Sequence, residues 1–292
     1  MSRLDVDATV AGEGGPDLGA EAIVFERRAR SHRALHERAG RVAAGLAGLG
    51  VAAGEPVALL SANRLEYLEI EAGIARAGAE AVHLDWRLAP LPLAALLARC
   101  EARTAFVDGP LLPVLWRLRR DGSAPALRTI VALGSGSGDL GYDELCAAGA
   151  RAATAGLGAA HAASPGGELR FGAGCSTYVA ADLAEVGRGV VRGVLEAGGT
   201  VHVRRSAPFS ARPVVDYVVE RGITHVVLAE AALRAVQRAG LLDACAAARV
   251  EAVVCEGGSG AAALVEEVRA ALGGATVVHA PQVDCRFGQF PA

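Results

Sequence analysis

The sequence predicts an α/β protein of two similar lobes, each a mainly parallel sheet flanked by helices. Three observations carry this expectation. Short continuous apolar runs, such as PVALLS over 56–61, suit strands buried on both faces. Between them lie longer segments with apolar residues on one helical face. The alternation lapses once, over 147–167, where Ala, Gly and Ser dominate, and then resumes. That break divides a first lobe at 21–146 from a second at 168–292, with 147–167 as a surface connection.

The elements follow in chain order. Residues 1–20 read as a polar, Gly-rich, mobile lead-in. Residues 22–26 form a short apolar strand. Ser31 then caps a helix with Leu35, Val42, Leu46 and Leu49 on one face, and Gly50 and Gly54 flank its stop. The run 56–61 is the next strand, 63–77 a helix, 79–84 a strand and 92–100 a helix. Strands follow at 104–108 and 129–133, and GSGSG over 134–138 reads as a flexible loop. In the second lobe, helices are expected at 181–196, 213–221, 231–239 and 261–272. Strands are expected at 199–204, 225–228, 252–255 and 276–280.

Composition narrows the function classes. The chain has 292 residues, 52% hydrophobic and 21% charged, which is globular rather than disordered. A net charge of −3 offers no basic excess for a nucleic-acid backbone. No apolar run approaches the ~18 residues that span a bilayer, so no membrane association is expected. The cysteines at 100, 146, 175, 245, 255 and 285 form no CxxC pair and no metal-ligand spacing. They read as reduced thiols in the cytoplasm. All 29 basic residues are arginine. Schiff-base and P-loop lysine chemistry are therefore excluded for the chain itself.

Several stretches then occur in a telling order. Asn63-Arg64-Leu65-Glu66 opens a helix, followed by GIARAGAEAVHLDWRLAPLPLAALLARCEARTAFVD over 73–108. EAGGTVHVRR, PVVDYVVERGITHVV, LRAVQRAG and VVCEGGSGAAALVEEVRAALGGATVVHA come after it. Across 21–280 this order resembles the N-terminal domain of the adenylate-forming superfamily: acyl-CoA synthetases, adenylation domains of peptide synthetases, and luciferases. The resemblance implies a phosphate loop within ELRFGAGCSTYVAAD, 168–182. Phe171 falls on the preceding strand, Gly174 and Ser176 in the loop, and Thr177 in place of a glycine. The family's Pro-Lys is replaced, and a segment before the helix near Ala181 is missing. Where the family has Asn-x-Tyr-Gly-x-Thr-Glu, this chain reads His279-Ala280-Pro281-Gln282-Val283-Asp284-Cys285. Pro281 replaces the adenine-stacking aromatic, Cys285 takes the place of the Mg²⁺-binding Glu, and Asp284 stands one step away. The family's third subdomain and C-terminal domain, which carries a catalytic lysine, find no counterpart before Ala292. ATP with Mg²⁺ and CoA are the family's cofactors; with these replacements none is expected here.

Other candidates rest on residue type and spacing. Gly257-Gly258-Ser259-Gly260 lies between a strand and a helix. It reads either as a ligand-binding turn at a sheet's C-terminal edge or as a plain turn with Ser259 as N-cap. Cys175 and Ser176 are candidate nucleophiles if one of His161, His202, His225 or His279 serves as base; otherwise Cys175 is a small buried residue. His202 and His225 sit in apolar strands and read as satisfied, half-buried histidines. Arg117, Arg119 and Arg120 read most simply as a solvated surface; the alternative is a docking site for an acidic carrier protein or a CoA phosphate, for which the motif is not specific.

Together these readings give a truncated, degenerate acyl-CoA synthetase-like protein, a pseudoenzyme with a binding or scaffolding role in acyl or aryl acid metabolism. One alternative is an ATP-independent acyl-transfer or hydrolytic enzyme using the cleft between lobes. Another is an incomplete ligase completed by a partner chain. The expected partners are an acyl or aryl ligand, a carrier protein and a second copy. Phe287 and Phe290 of the tail would join the second lobe in a two-fold interface.

Overall fold

The structure is a computed structural model that describes residues 17–152, 169, 171–180, 182–183, 188–248, 250–257 and 261–281. It divides into two compact units, one containing residues 34–162 and the other containing residues 1–33 and 163–283. Both are α/β, with mainly parallel sheets flanked by helices. Among the described residues no helix is long and apolar enough to cross a membrane.

The unit holding residues 34–162 is built on five strands: β3 (Pro56–Leu60), β4 (Glu80–Leu84), β5 (Thr104–Asp108), β6 (Thr129–Leu133) and β7 (Leu140–Gly141). Their order is β4-β3-β5-β6-β7, all parallel. The helices are α1 (His32–Gly48), α2 (Leu65–Arg76), α3 (Pro90–Cys100), α4 (Leu112–Arg120) and α5 (Tyr142–Ala152). Glu66 in the first turn of α2 and Arg76 in its last both complement the helix dipole. Pro90 starts α3 where no amide is needed.

Two contacts fix α1 within this unit. Gly149 of α5 lies so close to α1 that an added Cβ would stand 1.9 Å from the Arg41 carbonyl oxygen. The Glu69 carboxylate of α2 is wholly buried, and it accepts from Arg38 Nε at 2.6 Å and from the Tyr142 hydroxyl at 2.7 Å. A charge removed from water needs such partners. Burial, then the Glu69 charge, pushes the Tyr142 hydroxyl pKa far up.

The other unit carries a seven-stranded sheet of order β12-β11-β10-β8-β9-β1-β2. Its strands are β1 (Glu21–Phe25), β2 (Arg28–Ser31), β8 (Ser176–Val179), β9 (Thr200–Val203), β10 (His225–Ala229), β11 (Ala252–Gly257) and β12 (Thr276–Pro281). Helices α6 (Arg188–Glu196), α7 (Ala211–Arg221), α8 (Glu230–Arg238), α9 (Leu242–Ala247) and α10 (Ala261–Leu272) connect them. All pairings are parallel except the β1–β2 hairpin. Val218, Ile223, Leu233, Leu264 and Val268 form the core under α7, α8 and α10. An apolar cavity of about 20 Å³ remains there, lined among others by Val214, Val236, Leu242 and Cys245.

Several local expectations change. The strand at 21–25, expected with the first lobe, joins the second sheet, because its apolar face pairs in parallel with β9. Thr200 Oγ1 donates to the Glu21 carbonyl at 2.7 Å, and His32 Nε2 lies 3.1 Å from the Gly199 carbonyl. The loop at 134–138 is held rather than free: Trp116 Nε1 donates to the Ser137 carbonyl at 3.1 Å. A Cβ on Gly109 would come within 1.9 Å of the Ser135 oxygen, so this approach requires glycine. Part of the expected connection at 147–167 is the end of α5; residues 153–167 lie outside the described residues. The helix expected from 181 is described only from Arg188, and Phe171 precedes the strand rather than lying in one. Residues 1–16 are also outside the described set.

Candidate functional site

In the seven-stranded sheet the strand order reverses at β8, which has β9 on one side and β10 on the other. Ligands of open α/β sheets bind at the carboxyl ends of strands beside such a reversal. Asp182, just after β8, accepts a hydrogen bond from the Ser206 hydroxyl, which follows β9. Glu230 opens α8 at the end of β10 and pairs with Arg234 at 2.7 Å. Gly257 ends β11, where a Cβ would meet the Glu230 Cβ at 2.8 Å. His279 Nε2 lies 3.1 Å from the Gly257 carbonyl oxygen. Asp182, Glu230 and Glu256 lie at this edge, with Arg234 paired to Glu230 and with Arg204 and Arg205 following β9. Gly258, Ser259, Gly260 and Asp284 lie outside the described residues. Among the described residues no group of three or more His, Cys, Asp or Glu is placed to hold a metal ion.

Gly174, Ser176 and Thr177 were expected in one phosphate loop; the structure separates them. Residues 172–175 form a turn, closed by Cys175 N–H to the Gly172 carbonyl at 2.9 Å. Ser176 then opens β8 opposite Thr200, and Thr177 sits between Val201 and His225. Thr177 is wholly buried, and its hydroxyl has no hydrogen-bond partner among the described residues. The run STYV carries β-branched and aromatic side chains that pack well on a sheet, so it enters the sheet instead of looping around an anion. The Ser176 N–H is taken by Thr224 Oγ1 at 3.0 Å. Gly174 is exposed in the turn, at the amino edge of the sheet. Gly257 is at the carboxyl edge, so it does not converge with Gly174, Ser176 and Thr177.

The amino edge instead assembles a side-chain array. Ser176 of β8 and His202 of β9 lie on one face because Tyr178 pairs with His202 and strand side chains alternate. Ser176 Oγ is 3.0 Å from His202 Nε2. His202 Nδ1 is 2.9 Å from the Tyr217 hydroxyl on α7. His202 is 6% exposed. Burial and then the Arg221 charge lower its pKa to about 4, so the ring is neutral at pH 7. Burial pushes the Cys175 thiol and the Tyr217 hydroxyl upward. His225 is likewise buried, with Nδ1 2.8 Å from Thr224 Oγ1. His202 stood among four candidate bases in the sequence; only the parallel register of β8 and β9 selects it.

In the other sheet, Arg64 follows β3 and pairs with Asp108 at the end of β5, 2.8 Å away, and with Glu66 at 2.9 Å. The Asn63-Arg64-Leu65-Glu66 run thus ties the start of α2 to its neighbouring strand.

Residues 13–151 match the family of AMP-binding enzymes. A fatty acid–[acyl-carrier-protein] ligase, ScoC, of Streptomyces coeruleorubidus is 33% identical over 113 residues, 39% of this chain and 21% of that protein. A probable acyl-activating enzyme 8 of Arabidopsis thaliana is 30% identical over 108 residues, 37% of this chain and 19% of that protein. The chain spans about a fifth of the length of these curated relatives. The crystal structure of the anthranilate CoA ligase AuaEII with anthranoyl-AMP shares the fold, with a TM-score of 0.72 at 21% identity. That match covers 90% of this chain and 57% of the other.

Proposed function

With residues 13–151 matching the AMP-binding enzyme family and the chain showing the fold of the N-terminal domain of adenylate-forming ligases, we propose that this chain binds acyl or aryl acids without itself catalysing their ATP-dependent ligation. The observation that carries the proposal is β8: of the residues aligned with a phosphate loop, Ser176 and Thr177 enter the strand, Thr177 wholly buried, and 172–175 form only a short turn before it. Transfer to an anionic phosphorus centre needs cations and donors placed around it. The chain has no lysine. The ligand class follows the relatives, one named for a fatty acid and another for anthranilate. A role as binder or scaffold in acyl-acid or natural-product metabolism, in the cytoplasm, accords with this. The partners proposed are a carrier protein and a second copy of the chain.

The test pairs two measurements. Pyrophosphate exchange with a panel of fatty and aromatic acids should stay at background. Titration calorimetry with the same acids should show binding for at least one of them without ATP. Acid-dependent exchange would overturn the proposal, as would the absence of binding across the panel.

A further inference from the structure

We propose that Ser176 is an acyl-accepting nucleophile, deprotonated by His202 and aligned through Tyr217. Nucleophile, base and orienting group are each within hydrogen-bond reach of the next, at 3.0 Å and 2.9 Å. Ser176 and His202 sit on adjacent, register-locked strands, so their separation is fixed by the sheet. Of the two neighbouring hydroxyls, Thr177 is sealed in the core, while Ser176 keeps partial exposure at the sheet edge. Among the described residues Gly172, Ala173 and Gly174 are exposed, and a Cβ added to either glycine would meet none of them within 4 Å.

The reactive tautomer carries its proton on His202 Nδ1, which donates to the Tyr217 oxygen. Nε2 is then free to accept from the Ser176 hydroxyl. Attack of Oγ on the carbonyl of an acyl thioester or aryl ester forms the new C–O bond. The Ser176 proton passes to Nε2. As the C–S or C–O bond to the leaving group breaks, that group departs with the proton from Nε2. The products are O-acyl-Ser176 and a thiol or phenol, with no change of oxidation state. Cys175 next door has a thiol held protonated by burial, and its sulfur accepts the Gly172 N–H at 3.1 Å. The hydroxyl with a base outcompetes it. The groups facing His202 are Ser176 and Tyr178 from β8 and Tyr217 and Arg221 from α7, and Glu21 of β1 acts on Tyr217. Arg221 and burial keep the ring unprotonated well into mild acid.

That acyl donors reach this fold rests on the function proposed above, so the test uses probes that need no acid-binding site. The folded chain is treated with p-nitrophenyl acetate and with a fluorophosphonate, and adducts are located by peptide mass spectrometry. A single adduct on Ser176 is expected, absent in Ser176→Ala. His202→Gln should slow its formation about a hundredfold or more, the scale of a positioned base. Tyr217→Phe, which keeps the ring, should slow it while leaving the circular dichroism spectrum unchanged. The wild-type rate should hold from pH 8 to pH 5 and fall with a midpoint near 4. No adduct at Ser176, an adduct on Cys175 alone, or equal rates in wild type and Tyr217→Phe would overturn the proposal. Calorimetric binding of acids in the same preparation would then leave the binding function standing.

Discussion

Lowering the pH from 7.5 to 5.0 should destabilise the unit that contains His202 well before its carboxylates titrate. An unfolded histidine has a pKa near 6.5, and His202 in the fold has one of about 4. Between those values the unfolded chain binds a proton that the fold refuses. Stability is therefore fully present above pH 6.5 and is lost as pH falls toward 4. The 2.5-unit gap is worth up to roughly 3 kcal/mol, and about 2 kcal/mol is lost by pH 5 at ~1.4 kcal/mol per unit. In that unit the depressed carboxylate Glu26 adds its loss only below its ordinary range. Urea unfolding at the two pH values, followed by far-ultraviolet circular dichroism, reads the change. Both tryptophans, Trp86 and Trp116, lie in the other unit, so their fluorescence provides a separate baseline. His202→Gln should flatten the pH dependence by about 2 kcal/mol, whatever it costs at pH 7.5. An equal acid loss in variant and wild type would refute the reasoning.

Three further outcomes follow from packing. Gly149→Ala drives a methyl into the Arg41 carbonyl and should cost about 1–3 kcal/mol, read from the urea midpoint of tryptophan fluorescence. Glu69→Ala strands Arg38 and the Tyr142 hydroxyl and should cost about 3–5 kcal/mol by the same assay, whereas the cost of an exposed pair would be near zero. Val236→Ile adds one methylene toward the cavity of about 20 Å³; it should raise stability by up to about 1 kcal/mol in circular dichroism melts, and a loss would mean the cavity does not accept it.

What could be read from the sequence was what is local. PVALL and TAFVD are runs whose burial on both faces dictates a strand in almost any context, and β3 and β5 form where expected. The α4 segment went unread because Pro113 and three arginines leave only a short apolar face over nine residues. RARS has no apolar pattern at all; it is a strand only because Glu21–Phe25 offers it a partner. The pairing of β1 with β9 depends on residues about 175 positions apart, beyond the reach of any periodicity. The same holds for the site. STYVAAD could be aligned with a loop by its small residues, while the β preference of Thr177, Tyr178 and Val179 pulled it into the sheet. The Ser176–His202 contact needs two parallel strands in one register, which no spacing within either strand encodes.

The β1–β2 hairpin leaves the ribosome well before the strand that covers it. At ~5–20 residues per second, the roughly 170 residues from Ser31 to Thr200 take about 10–30 s to add. All strands and helices of the five-stranded unit are synthesised in that interval. Ala22, Ile23, Val24 and Phe25, buried in the finished protein, have only β2 as a sheet neighbour until then. A two-stranded ribbon is marginal in water. The newborn chain therefore carries a sticky, half-made edge throughout that interval. That edge is where a holding chaperone would find its grip, and slowing translation between codons 32 and 199 should lengthen the hold.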